Sequence, residues 1–261
     1  MDGLLVDRND GIVTLTIDRP RRKNAITGDM WQGLVEFFDD LATRTDDRVL
    51  VITGSGDAFC SGADLTSAAD GDAPNGAGAS VASMRIVGRA ALRLHELPLP
   101  TIAAVNGVAA GAGCNLALGC DLIIASDRAR FTEIFAKRGL ALDFGGSWLL
   151  PRLIGLHRAK ELAFLAEILD AKEAERIGLV NRVVPHDQLG TEVGALASRL
   201  AALPPLQLSV IKRQLNDGLD HTMAEAVEHE GVAQALMFSS RDTAEAMTAF
   251  IEKREPRFTG E

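Results

Sequence analysis

The segment Val105-Asn106-Gly107-Val108-Ala109-Ala110-Gly111-Ala112-Gly113-Cys114-Asn115-Leu116 reads as a buried strand that runs through a turn into the N-terminus of a helix of small residues. Small side chains let a ligand approach the backbone closely. The start of a helix presents free N–H groups and the positive end of its dipole. A second segment, Phe59-Cys60-Ser61-Gly62-Ala63-Asp64-Leu65, follows a short apolar strand over 49–53 and has the same makeup. Two backbone N–H groups aimed at one point make an oxyanion hole. Taken singly, each segment also suits tight packing of strand on helix. Their order and spacing favour a shared site.

Outward from these segments, apolar strands alternate with helical stretches. Residues 11–18 alternate apolar and polar, which predicts a half-buried strand ended by Arg19-Pro20. Thr27 caps a helix over 28–44, with Met30, Leu34, Phe37, Phe38 and Leu41 on one side. Residues 66–80 are rich in Ala, Gly, Asp and Ser and read as mobile. A helix over 81–95 stops before Pro98 and Pro100. A strand over 101–105, a helix over 109–118 and a strand over 121–125 follow. Residues 131–138 are mixed, and a helix starts near Ser147 after a glycine turn. The last sixty residues read as helices broken at Pro204-Pro205 and Gly218. This order predicts an α/β fold with largely parallel pairing, ending in a helical association region. Pattern alone leaves doubly wound sheets and a spiral open.

The balance of 27 basic against 36 acidic residues gives a net charge of −9, which argues against nucleic acid as a partner. Positive charge clusters at Arg19, Arg21, Arg22 and Lys23, and again at Lys253, Arg254 and Arg257. Such clusters suit a small polyanion, or are two solvated stretches. Cys60, Cys114 and Cys120 cannot pair evenly and read as reduced core thiols. The N-terminus lacks a signal-peptide pattern, and no apolar run reaches the roughly 18 residues of a membrane span, so a cytoplasmic protein without a membrane partner is expected.

Several motifs fail. Gly54-Ser55-Gly56-Asp57-Ala58-Phe59 puts Phe59 where a dinucleotide fold needs a third glycine, and Gly111-Ala112-Gly113-Cys114-Asn115-Leu116 fails at the same place. A P-loop and a G-x-S-x-G elbow are absent. The histidines are scattered without metal spacing, with His95 held in reserve. No metal, flavin or nicotinamide site is visible, and no tightly bound cofactor is expected.

The two signature segments resemble those of the crotonase (enoyl-CoA hydratase/isomerase) superfamily, and the resemblance covers nearly the whole chain. Arg19-Pro20 with Asn24-Ala25 resembles the family's first coenzyme-contacting turn. Gly145-Gly146 followed by Leu149, Arg152 and Gly155 matches its third landmark. Phe250-Ile251-Glu252-Lys253-Arg254 with Pro256 and Phe258 resembles its C-terminal tail. The resemblance implies a spiral of ββα units over 1–195, a helical oligomerisation region over 196–261, and a homotrimer or dimer of trimers. It implies a coenzyme A thioester as substrate, with the N–H groups of Ala63 and Ala112 on the thioester carbonyl. The backbone of Ala25, Ala63 and Leu65 would lie at the adenine end, and Asp64 would belong to the same coenzyme-binding set. Lys23 and Lys253 would meet phosphate, and Phe250 belongs to the tail that reaches a neighbouring subunit's coenzyme.

Relatives that add water across a double bond carry two glutamates, which align with Asn115 and Phe135 here. Glu133, two residues from Phe135, is expected to point elsewhere. The remaining acid is Asp143, in Leu140-Ala141-Leu142-Asp143-Phe144-Gly145-Gly146. Burial would raise its pKa toward working pH, as a proton shuttle needs. Its other reading is an N-cap for the next helix. Asn115 is expected to hydrogen-bond Asp143 or to position the substrate. Residues 131–148 are similar to the 1,2-epoxyphenylacetyl-CoA isomerase and 3,2-enoyl-CoA isomerase branch, which implies isomerisation with one aspartate. An atypical hydratase, a hydrolase or dehalogenase assisted by His95, and an acyl-CoA binder without catalysis remain alternatives.

Overall fold

The computed structural model describes residues 2–65 and 77–261. Two sheets share the strands in a regular alternation. The larger sheet has the order β1 (Leu4–Asn9), β2 (Ile12–Ile17), β3 (Val49–Gly54), β5 (Thr101–Val105), β7 (Leu122–Ser126), β10 (Arg182–Val184). The smaller has β4 (Ala58–Cys60), β6 (Val108–Ala110), β8 (Arg130–Thr132), β9 (Leu169–Asp170). Each pair β3–β4, β5–β6 and β7–β8 gives one strand to each sheet, and successive pairs add in parallel. Ile52 pairs with Ala103, which pairs with Ile123. This is the spiral of ββα units that the resemblance implied.

The strands follow from their side chains. In β2 the residues Val13, Leu15 and Ile17 point inward, while β5 is buried along its length. A strand buried on both faces needs no alternation. Helix α1 (Gly28–Leu41) is capped by Thr27, whose Oγ1 accepts from Met30 N, as the sequence predicts. It packs on α2 (Ala77–Glu96), and Phe38 and Leu94 join the main core. Helix α7 (Leu189–Ala201) covers the other face of the larger sheet with Leu189, Val193 and Ala197. It runs through residue 195.

Three expectations need correction. β1 was not foreseen; it pairs antiparallel with β2 across Asp10-Gly11, both at positive φ. Asp-Gly is a favoured two-residue hairpin turn. The helix expected over 109–118 starts only at Ala112, as α3 (Ala112–Leu118), because Val108–Ala110 extends as β6 between β4 and β8. Val-Ala-Ala suits either state, and pairing with two neighbours decides it. The mobile reading of 66–80 falls mainly outside the described residues, but its last four residues are the first turn of α2.

Two buried asparagines hold the turn between β3 and β4. Asn24, at φ 58°, accepts from Arg19 N and donates to the carbonyls of Ser55 and Ala58 at 2.9 and 2.7 Å. Asn106 donates to the carbonyls of Gly54, Gly56 and Ala58. Their bonds satisfy backbone groups that the turn would leave unpaired. The turn delivers Phe59 and Cys60 to the site.

Beyond Ala201 lie α8 (Pro205–Gly218), α9 (Met223–Met237) and α10 (Arg241–Glu252), broken where Pro204-Pro205 and Gly218 predict. Lys212 docks α8 by donating to the Leu99 carbonyl and pairing with Asp121 at 2.9 Å. Neither α8 nor α9 has a buried residue, and Leu215, Met223 and Phe238 stand exposed. Among the described residues no single helix is long and apolar enough to cross a membrane, and no cluster of His, Cys, Asp or Glu could hold a metal.

Candidate active site

Two backbone turns meet at the ends of β4 and β6. After β4 the chain passes Gly62 at φ 96°, and Ala63 bridges Ile26. That bridge uses Ile26 N to Gly62 O and Asp64 N to Ile26 O, so the Ala63 N–H stays outside it. After β6, Gly111 at φ 54° and ψ −127° caps α3 with no side-chain hydrogen bond. The first N–H groups of α3, starting at Ala112, are therefore left for another acceptor. A Cβ on Gly62 would lie 3.5 Å from Ala112 N, and one on Gly113 would lie 2.2 Å from Cys60 O. Glycine at both places lets the turns interlock backbone to backbone. The turn that carries Ala63 thus lies against the start of α3 at Ala112. The Ala112 methyl packs in the main apolar core.

Beside α3 lies an acid cluster. Asn115 Nδ2 donates to the Asp143 carbonyl at 3.0 Å and to Glu133 Oε2 at 3.4 Å. Asn115 and Glu133 are both fully buried, and Asp143 is half-buried. Burial pushes the Asp143 carboxyl up to about 6. Burial also pushes Glu133 up to about 7; hydrogen bonds from Cys114 and Asn115 oppose the rise and the Asp143 charge adds to it. Asn115 Oδ1, Glu133 Oε1 and Asp143 Oδ1 are buried without a hydrogen-bond partner. Unpaired buried oxygens cost about 1–3 kcal/mol each, so a cluster of three marks a place kept for protons or substrate.

The sequence reading misjudged Glu133. Glu133 does not point away: it stands just past the end of β8, and its Oε2 accepts from Asn115 Nδ2. The signal was a lone carboxyl within the buried run Phe131-Thr132-Glu133-Ile134-Phe135. Asn115 does hydrogen-bond Asp143, through the Asp143 backbone carbonyl. The other reading of Asp143, an N-cap, does not hold, since Gly145 caps α4 (Gly146–Ile154) without a side chain. Phe135 lies over Gly111, its Cζ 3.5 Å from where a Cβ would stand.

The turn that carries Asp143 is strained. Phe144 sits at φ 47°, costly for a bulky residue, and is held by burial against Trp31 with ring centroids 5.4 Å apart. Gly146 lies so close to the Asn115 side chain that a Cβ there would be 2.4 Å from Nδ2. The loop and α3 are therefore fixed to each other at Asn115.

The other predicted residues lie on the rim or apart. Lys23, at φ 50°, ion-pairs with Asp57, and its carbonyl accepts from Ser61 N. The Arg19 guanidinium pairs with the Asp64 carboxylate at 2.8 Å and donates to the Ala25 carbonyl at 2.5 Å. Leu65 is exposed. Phe250 is 83% exposed, and Lys253 ends α10 at φ 55°; no hydrogen bond or ion pair within the chain joins either to the Lys23 turn. Arg254 is taken up by Glu245 and Glu252. His95 packs edge-on against Trp148, outside the acid cluster. Cys60, Cys114 and Cys120 are buried thiols with raised pKa values.

The family model described as Enoyl-CoA hydratase/isomerase matches residues 7–261. The chain is 40% identical over 263 residues to 1,2-epoxyphenylacetyl-CoA isomerase of Escherichia coli (strain K12), covering 100% of this chain and 99% of that one. It is 36% identical over 262 residues to crotonyl-CoA hydratase of Syntrophomonas wolfei, covering 98% of each. A crystal structure of enoyl-CoA hydratase from Bacillus anthracis matches with TM-score 0.92 at 30% identity, over 99% of this chain and 100% of that one. One from Streptomyces coelicolor A3(2) matches with TM-score 0.95 at 37% identity, over 99% and 94%.

Proposed function

The chain belongs to the enoyl-CoA hydratase/isomerase family, and from that premise we propose that it isomerises unsaturated or ring-epoxide acyl-CoA thioesters with Asp143 as its proton carrier. The observation that carries this reading is the half-buried Asp143 carboxyl, raised to about 6 and left with an unpaired oxygen, on a loop bonded to Asn115 of α3. The N–H groups of Ala63 and Ala112 polarise the thioester carbonyl and make the α-proton acidic. Asp143 takes that proton, leaving a dienolate, and returns it to the γ-carbon. One carboxyl suffices to move a double bond from the 3- to the 2-position. Asn115 holds the Asp143 backbone during both transfers. The name of the Escherichia coli relative agrees with this chemistry.

Coenzyme A would lie along the rim, with its adenine end at the backbone of Ala25, Ala63 and Leu65 and its phosphates near Lys23. Phe250 and Lys253 would serve a neighbouring subunit's coenzyme, in a homotrimer or dimer of trimers. The exposed apolar residues of α8, α9 and α10 support such an assembly. A hydratase reading draws support from Glu133 as a second acid and from the name of the Syntrophomonas wolfei relative. The full burial of Glu133 weighs against it, because an acid that delivers water must reach the substrate.

A paired assay separates the two. With 3-hexenoyl-CoA the protein should form the 2-enoyl isomer, and with 2-butenoyl-CoA it should add water at least ~10²-fold more slowly. Hydration of 2-butenoyl-CoA at the faster rate would overturn the isomerase reading.

A further inference from the structure

We propose that Glu133 is a positioning residue that works as a neutral carboxylic acid behind Asn115, so that Asp143 carries the only negative charge of the cluster. This rests on Asp143 as the proton carrier. Glu133 has no exposed surface, so it cannot touch substrate. Its Oε2 accepts from Asn115 Nδ2 at 3.4 Å, and the same amide nitrogen holds the Asp143 carbonyl at 3.0 Å. Those two bonds also fix which end of the amide is nitrogen.

The groups acting on Glu133 are Cys114 and Asn115 from α3 and Asp143 from the loop before α4, with no cation among them. With both carboxyls ionised, the cluster would hold three unpaired oxygens and two charges with no counter-ion, the Glu133 charge wholly away from water. Buried carboxylates without a partner are strongly disfavoured. A proton on Glu133 removes one charge and adds a donor. Burial raises both carboxyls, and Glu133, which has no exposed surface, more than the half-buried Asp143. The pair therefore ionises in two steps, Asp143 first.

The second step harms the reaction. Glu133 lies against the first turn of α3, whose N-terminal field is the one available to the thioester oxygen. An ionised Glu133 would draw on that field while negative charge builds on the dienolate. The rate with 3-hexenoyl-CoA should rise as Asp143 ionises and fall again as Glu133 does.

The test is the pH profile of kcat for the full-length protein and for Glu133→Gln, with infrared titration of the wild type. The wild type should lose roughly six- to tenfold in kcat between about pH 6.5 and 8, with KM steady. Glu133→Gln keeps the shape and both kinds of hydrogen bond, and should flatten that alkaline limb while the acidic limb stays. In the wild type a protonated-carboxyl band should persist at pH 6.5 and be largely gone by pH 8, and Glu133→Gln should remove most of it at pH 6.5. An alkaline limb that survives Glu133→Gln, or a band already gone at pH 6.5, would overturn the proposal. Failure of the Asp143 reading shows separately, as isomerisation that survives Asp143→Asn while the band still reports Glu133.

Discussion

Replacing Asp143 by asparagine should lower kcat for 3-hexenoyl-CoA by roughly 10³-fold and leave KM within about threefold. Asparagine matches aspartate in shape but cannot accept a proton at neutral pH. The Asn115 bond to residue 143 is to its backbone carbonyl, so it survives the change. The turn is set by Phe144 and Gly145 at positive φ, so the backbone should stay in place. The variant should also lose the acidic limb of the pH profile. In the wild type, kcat should rise as Asp143 ionises near pH 6, because the charged form is the base. Steady-state kinetics with an isotherm for coenzyme A checks both halves. A fall in coenzyme affinity equal to the fall in rate would make Asp143 a binding residue instead.

Gly113→Ala should lower kcat/KM by about 10²-fold, because misplacement by about 1 Å is enough for such a loss. Its thermal midpoint should fall as well, since overpacking costs about 1–3 kcal/mol. The added methyl would stand 2.2 Å from Cys60 O and 2.7 Å from Cys60 Sγ, far inside contact distance. Backbone cannot swing aside as a long side chain does, so α3 must move away from the end of β4. Those are the elements that carry Ala112 and Ala63. Gly194→Ala, in α7 with open space around it, is the control. It should be neutral or stabilise by up to about 1 kcal/mol. Loss of activity in both variants alike would point to general helix disturbance and away from the interlock.

The parts legible in the sequence are those written in local chemistry. Glycines at 62 and 113 mark close backbone approach, and Gly111 marks a turn at positive φ. Thr27, Pro204-Pro205 and Gly218 mark helix ends by capping and backbone restriction, and the structure follows them. β6 escaped because three small apolar residues carry no preference of their own; β4 and β8 impose it from outside. Glu133 escaped for a related reason. β8 ends at Thr132, and beyond it the direction of the Glu133 side chain is set by its contact with α3 from across the fold. Asp143 was visible as an acid in an apolar run, but the burial that tunes it comes from the fold around it.

The most direct test of a single Asp143 shuttle follows one hydrogen. With 3-hexenoyl-CoA deuterated at C2, in ordinary water, the one-carboxyl route predicts product with deuterium recovered at C4. The half-buried Asp143 carboxyl holds part of the label between the two transfers. Deuterium lost wholly to solvent at undiminished turnover, or transfer that persists in Asp143→Asn, would contradict it.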